Sequence, residues 1–189
     1  MATSFAQMTA EEFEQLPETD RKLELNHGVL IEVEMARAEH ELVKGKLTML
    51  LAGGLSQSSF IVTPEATVRL GDEISRVPDL SIWRESDLVE MDPDRTIVGG
   101  PLIAIEIVSS ESAADLNEKI QQYFAAGTKI VWVVYPKTRT VEVERPDGST
   151  RLTAQDILQG PEIVPGLQIR VSDIFSTLDK ASARRHTPR

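Results

Sequence analysis

The chain has 189 residues, 41% hydrophobic and 26% charged, which suits a single globular domain with a sizeable core. Its net charge is −10 and it has no cysteine. The acidic balance argues against a general nucleic-acid coating protein, and the missing thiol excludes disulfides, zinc–thiolate sites and thiol catalysis. An enzyme acting on nucleic acid stays compatible, because carboxylates that hold a divalent cation add to the negative count. The opening MATSFAQMTAEEFEQL has no basic start and no apolar stretch of signal-peptide length. No run is long enough to cross a bilayer, so no membrane association and a cytoplasmic location are expected.

In chain order, Thr9 is placed to cap a short helix, with Glu11 and Glu12 in its first turn and Pro17 ending it. RKLELNHGVLIEVE predicts a hairpin that turns at His27-Gly28. EHELVKGKLTMLLAGGL predicts a helix of roughly four turns. Leu42, Leu47, Leu50 and Leu51 would face the core, and Gly53-Gly54 would stop it. SFIVTPEATVRL reads as two short strands or one bent at Pro64, GDEIS as a turn, and RVPDLSIWRES as another strand. DLVEMDPDRTIVGG reads as a polar loop through Pro93, and a strand follows over 101–108. SSESAADLNEKIQQYFAAG is a loop and then a helix ending at Gly127. KIVWVVYP is an apolar strand, and RTVEVERPDGSTRLT a strand running into a Pro-Asp-Gly turn. PEIVPGLQIRVSDIF adds one strand and a short helix, and 179–189 reads as a frayed tail. The order predicts a mixed sheet with a few helices, an α/β or α+β domain.

The strand over 101–108 is apolar except for Glu106. Such a short run reads as buried on both faces, where an unpaired charge is costly. Glu106 therefore needs a cation, a metal or a proton. By strand alternation Leu102, Ala104, Glu106 and Val108 share one face, and Ile103, Ile105 and Ile107 the other. In 76–83, Arg76, Pro78, Leu80 and Ile82 share a face, opposite Val77, Asp79, Ser81 and Trp83. If the two strands are neighbours, Asp79 and Glu106 converge, and a divalent cation relieves their repulsion. Each acid is also explained by pairing with an arginine or capping a helix. On the next helix, Asp115, Lys119 and Tyr123 are spaced i, i+4, i+8. Lys119 could reach the carboxylates, although an exposed Asp115–Lys119 pair accounts for the same spacing.

PDLSIW, IEIVSSESAADLNEKIQQYFAAG, VWVVYP and IVPGLQIRVSDIF, with KLELNHGVL and AEHELVKGKLTMLLAGGL upstream, resemble the Uma-two-type putative restriction endonuclease family. That family belongs to the PD-(D/E)XK nuclease superfamily, and the resemblance runs from about Thr9 to Phe175. It implies one restriction-endonuclease-like domain over 1–189, with a core at about 9–175 and a central mixed β-sheet flanked by helices. It implies Mg2+ or Mn2+ held by Asp79 and Glu106, DNA as substrate, and a homodimer as one possible assembly. The superfamily lysine normally stands two residues after the glutamate, where this chain has Val108. The resemblance moves that role to Lys119, and it makes Glu24 an extra ligand or water-orienting acid. A surface residue on a hairpin is the alternative for Glu24. Gln122 and Tyr123 are secondary candidates for positioning substrate.

The chain departs from the family at Ile130-Val131-Trp132 and Tyr135-Pro136, and the SSES loop lacks a common proline. His27, His40 and His186 show no metal-ligand spacing, and His40 reads as a surface histidine or a substrate contact. Neither GG pair has a phosphate-loop pattern around it, and SSES offers no serine-nucleophile signature. The expected function is a metal-dependent DNA endonuclease. The alternative is a non-catalytic interaction module that kept the fold.

Overall fold

The computed structural model describes residues 7–17, 19–34, 37–89, 91–92, 95–160 and 162–185. The expectations for Pro93, for His186 and the rest of 186–189, and for the first six residues lie outside them. Helix α1 (Ala10–Glu14) starts at Thr9, whose side chain accepts from Glu12 N–H while Glu12 bonds back to Thr9 N–H. Strands β1 (Leu23–Asn26) and β2 (Val29–Glu32) form the expected hairpin. His27 and Gly28 both take positive φ, 47° and 73°, as a tight primed turn requires.

Helix α2 (Ala38–Leu55) runs through Gly53-Gly54 and ends at Ser56, so the glycines do not stop it. Continued packing carries it on: Leu55 is buried, and a Cβ on Gly54 would crowd Leu167 at 2.9 Å. Val43, Leu47 and Leu51 are fully buried and Leu50 partly so, but Leu42 is exposed. The buried stripe is therefore 40-43-47-51-55.

Strands β3 (Phe60–Pro64) and β4 (Val68–Gly71) are two separate strands. GDEIS is only partly a turn, because Ile74 opens β5 (Ile74–Arg76). The expected strand over 76–83 is broken: β5 ends at Arg76 and β6 (Leu80–Arg84) begins in a different sheet. The predicted polar loop contains helix α3 (Glu85–Val89) and strand β7 (Ile97–Val98). Strand β8 (Ile103–Ile107), helix α4 (Ala113–Ala125) and strand β9 (Ile130–Tyr135) then form a parallel β–α–β unit. Strands β10 (Thr140–Arg145) and β11 (Gly148–Leu152) extend the sheet as a hairpin. Strands β12 (Ile157–Gly160), which the sequence reading missed, and β13 (Val164–Arg170) pair with each other. Helix α5 (Val171–Arg185) runs well past Phe175, so 179–185 is helical rather than frayed.

Among the described residues the sheets are mixed: a six-stranded one ordered β11-β10-β9-β8-β6-β3 and a five-stranded one ordered β2-β1-β5-β4-β7. The alternation predicted for β8 holds. Ile103, Ile105 and Ile107 pack with Leu80, Ile82, Trp132 and the inner faces of α2 and α5. Ala104 lies on the opposite side with Trp83, Val131, Val133 and the inner face of α4. The six-stranded sheet is thus covered on both faces, and its central strand β8 is buried throughout. Leu47→Ala should cost about 2–5 kcal/mol, the range for a buried leucine, whereas Leu42→Ala should stay within about 1 kcal/mol. Urea melts of both variants would check the helix rotation, and equal losses would contradict it.

Candidate active site

The site follows from strand pairing. β6 and β8 are antiparallel neighbours, with Leu80 opposite Ile105 and Ser81 opposite Ala104. Asp79 lies in the bend just before β6 begins, and Glu106 one residue before β8 ends. Glu106 meets α4 through Tyr123 and Lys119, while Asp79 meets His40 of α2 and the Ile107 N–H. Both acids are buried, Asp79 at 5% and Glu106 at 3% exposure.

Glu106 is held from α4. Tyr123 donates its O–H to Oε1 at 2.6 Å, and Lys119 Nζ donates to Oε2 at 3.3 Å. The two donors are one helical turn apart and so lie on one stripe. Asp115, at the head of that stripe, bonds instead with Ser112, the residue that caps α4. The exposed Asp115–Lys119 pair is not what the helix builds: Lys119 is turned inward, 3.4 Å from Glu24 Oε1 and 3.9 Å from Glu111 Oε2.

Asp79 is held from three other places. His40 Nε2 on α2 is 2.9 Å from Oδ2, the backbone N–H of Ile107 donates to the same oxygen at 2.8 Å, and Lys22 Nζ donates to Oδ1 at 3.4 Å. His40 Nδ1 faces Glu41 Oε1 at 3.2 Å. Both ring nitrogens therefore face carboxylates, an arrangement satisfied when both carry protons. Burial disfavours that cation, but the hydrogen bond and charge of Asp79 outweigh burial and raise the His40 pKa.

Glu24 is buried rather than on the hairpin surface. Arg76 Nη1 donates to its Oε2 at 2.9 Å and Val77 N–H to its Oε1 at 3.0 Å. Arg76 Nε donates to Gln122 Oε1 at 2.8 Å, and Gln122 Nε2 donates to Asn26 Oδ1 at 2.7 Å. This network ties β1, β5 and α4 together beside the carboxylates.

The structure thus brings Asp79, Glu106, Lys119 and Glu24 into one cluster. It corrects two other readings. His40 is not a surface histidine but a buried partner of Asp79. Arg76 does not share the far face with Leu80, because the strand break at 77–79 moves it into the second sheet and onto Glu24. The signal for His40 was available: it starts the apolar stripe of α2 one turn ahead of Val43 and Leu47. Lys22, Glu111 and the tyrosine bond to Glu106 carried no signal beyond proximity in sequence to the named residues.

Burial pushes the Glu106 carboxyl up to about 7: Lys119 pulls it back, and Asp79, Glu24 and Glu111 push further. Burial also raises Glu111. For Lys119, burial is outweighed by Glu106, Glu24 and Glu111, and its pKa rises. For Asp79, burial is outweighed by His40, Lys22 and the Ile107 N–H, and its pKa falls. Between the ordinary glutamate range and about pH 7, the folded protein keeps a proton on Glu106 that the unfolded chain has released. Stability from this group is greatest at the acid end of that window and declines as pH rises through about 7. His40 has the same sign, since its stabilised cation is lost as pH rises. In EDTA, the protein should melt lower at pH 8 than at pH 6, and Glu106→Gln should narrow that difference. Thermal scans at both pH values would check it, and an unchanged difference in the variant would mean that Glu106 titrates normally.

Comparison with known proteins bears on the family and the fold. A family model, Uma2, described as a putative restriction endonuclease, matches residues 10–172. A crystal structure of a putative nuclease belonging to DUF820, from Anabaena variabilis, is similar with a TM-score of 0.79 at 24% identity. The match covers 90% of this chain and 99% of that one. At that identity the likeness speaks for the fold, the restriction-endonuclease-like α/β arrangement. No curated protein matches the chain significantly. The family model spans most of the sequence, from α1 to the start of α5, and the chain belongs to the Uma2 family of putative restriction endonucleases.

Proposed function

We propose that this protein is a metal-dependent DNA endonuclease that hydrolyses phosphodiester bonds, with Asp79, Glu106 and Lys119 as its catalytic residues. The observation that carries the reading is Asp79 just before β6 and Glu106 near the end of the neighbouring strand β8, both buried, with Lys119 on Glu106. The chemistry of the donors fits a hard cation. Magnesium and manganese take oxygen ligands, and magnesium commonly uses one or two protein carboxylates with water and phosphate. Burial raises Glu106, with Asp79, Glu24 and Glu111 adding to it against Lys119, and a bound cation would offset that cost.

Asp79 and Glu106 would hold Mg2+ or Mn2+, which supplies Lewis-acid polarisation of the phosphate and activation of water. The chain's own groups do the rest. His40, Lys22 and the Ile107 N–H keep Asp79 anionic and fixed in orientation. Tyr123 fixes Glu106 through its O–H. Lys119 presents an ammonium that orients the attacking water and stabilises negative charge developing on the phosphoryl oxygens. Glu24 already accepts from Arg76 and Val77 N–H, so its part is to aim Lys119, as a water-orienting acid at one remove.

Plasmid and single-stranded DNA should be cut in the presence of magnesium or manganese by the wild type and not by Glu106→Gln. Metal binding should also raise the melting temperature of the wild type, because a ligand of the folded state stabilises it. Neither cleavage nor metal stabilisation, over the substrates and both metals, would favour the non-catalytic module. Tyr123→Phe keeps the ring but removes the O–H on Glu106, and should cost roughly 10–100-fold in metal affinity or activity. Titration of metal-dependent melting, followed by rate measurement at saturating metal, would separate the two.

A further inference from the structure

A narrow notch lined by Arg37, Glu39, His40, Val108, Ser109, Pro136 and Lys137 shares His40, the partner of Asp79, with the carboxylate site. Its free volume of about 20 Å³ admits one oxygen atom the size of a water. Three elements meet there. Arg37 is the N-cap residue of α2, Val108 and Ser109 follow β8, and Pro136 and Lys137 follow β9.

The cations of this notch are unlike most others in the chain. Arg21, Lys22, Lys44, Arg69, Arg76, Arg84, Lys119, Arg139, Arg145 and Arg151 each face a carboxylate. Among the described residues, Arg37 and Lys137 face none and are exposed, as are Lys129, Arg170 and Lys180, but only these two line a notch that includes His40. The one acid lining the notch, Glu39, is engaged by Arg139 at 3.2 Å. Two free cations therefore bracket a one-oxygen opening that shares His40 with the carboxylate site.

We propose that this notch binds a backbone phosphate of the DNA strand next to the bond being cut, with Arg37 and Lys137 as its ligands. Naming DNA rests on the nuclease reading above. The phosphate contact itself is a separate claim. A non-bridging oxygen enters the opening and the two cations flank the diester. The neighbouring phosphate along the strand is thereby carried past His40 toward Asp79 and Glu106. Arg37 and Lys137 are positioning residues, since they touch the strand away from the reacting phosphorus.

The test is binding of a fluorescein-labelled duplex, followed by anisotropy in EDTA, where metal-dependent cleavage does not proceed. Affinity is measured over a salt series for the wild type, Arg37→Ala, Lys137→Ala and Lys129→Ala. Lys129 is an exposed lysine just before β9, at the opposite end of the strand from Lys137. Each lost phosphate contact reduces the steepness of log affinity against log salt by about 1. Arg37→Ala and Lys137→Ala should show that reduction, and Lys129→Ala should not. In cleavage, the two notch variants should raise KM while kcat is largely kept. An unchanged slope in both notch variants, an equal reduction in the Lys129 variant, or no binding of DNA by the wild type would overturn the proposal. A wild type that binds with the expected slopes and never cuts would sink the nuclease reading and leave the notch standing.

Discussion

The placement of Lys119 is the interaction on which the site depends. Glu24 and Glu106 are almost wholly removed from water, and Glu111 is partly so. Buried carboxylates repel one another and lose hydration, so they persist as anions only beside a cation. Lys119 reaches all three from one point on α4. Removing such a charge from a buried set is costly, about 3–5 kcal/mol for one partner of a buried pair. The side chain that serves catalysis in the proposed mechanism is therefore also a structural tie between the β1 hairpin, the end of β8 and the helix. Arg76 shares Glu24 with Lys119, and burial, more than the neighbouring acids, keeps the Glu106 carboxyl raised. A buried pocket of carboxylates is what a divalent cation would find attractive.

The two acids, Asp79 and Glu106, are held by different layers. Glu106 is held from α4, through Tyr123 and Lys119. Asp79 is reached from the opposite layer by His40, at the start of α2, and from the sheet by the Ile107 N–H. Helix α2 is anchored by Val43, Leu47, Leu51 and Leu55 in the large core, while α4 is anchored by Leu116 and Ile120 in the small one. A shift of either helix over the sheet would move one carboxylate relative to the other. Both cores thus bear on the same few ångströms, which is why a site this small needs a sheet covered on both faces.

Much of this was legible beforehand, for a specific reason. Alternation in β8 separates Glu106 from Ile103, Ile105 and Ile107, because that strand is continuous and buried throughout. Period-two patterns survive into the structure because a sheet buried on both faces cannot tolerate slippage. The rule failed at Arg76 because Val77–Asp79 are not strand, and parity has no meaning across a break where the chain changes sheets. Lys119 was readable only with the family resemblance beside it, since helical spacing alone allowed an outward pair with Asp115. His40 was misjudged because its residue type pointed outward, while its position on the α2 stripe pointed in. Helix α2 also outlasted its two glycines, a case of tertiary packing overriding local propensity. The partners of buried polar groups are set by tertiary approach, and single-chain periodicity does not encode them.

The acidic charge of the chain and a polyanionic substrate are reconciled by distance. At physiological salt, charges separated by more than about 8 Å are largely screened across solvent. A phosphate at the Arg37–Lys137 notch feels those two free cations at contact, and Glu39 beside them is already engaged by Arg139. Most carboxylates elsewhere on the surface lie beyond that range and act mainly on approach, slowing encounter and disfavouring random contacts along a duplex. The balance therefore separates recognition from attraction. A protein so charged would hold a strand only where it presents unpaired cations next to its carboxylates, and would gain little from coating nucleic acid elsewhere. On the proposed reading, the same −10 that argues against a general coating protein makes the local placement of unpaired cations, rather than overall charge, what would set where a strand is held.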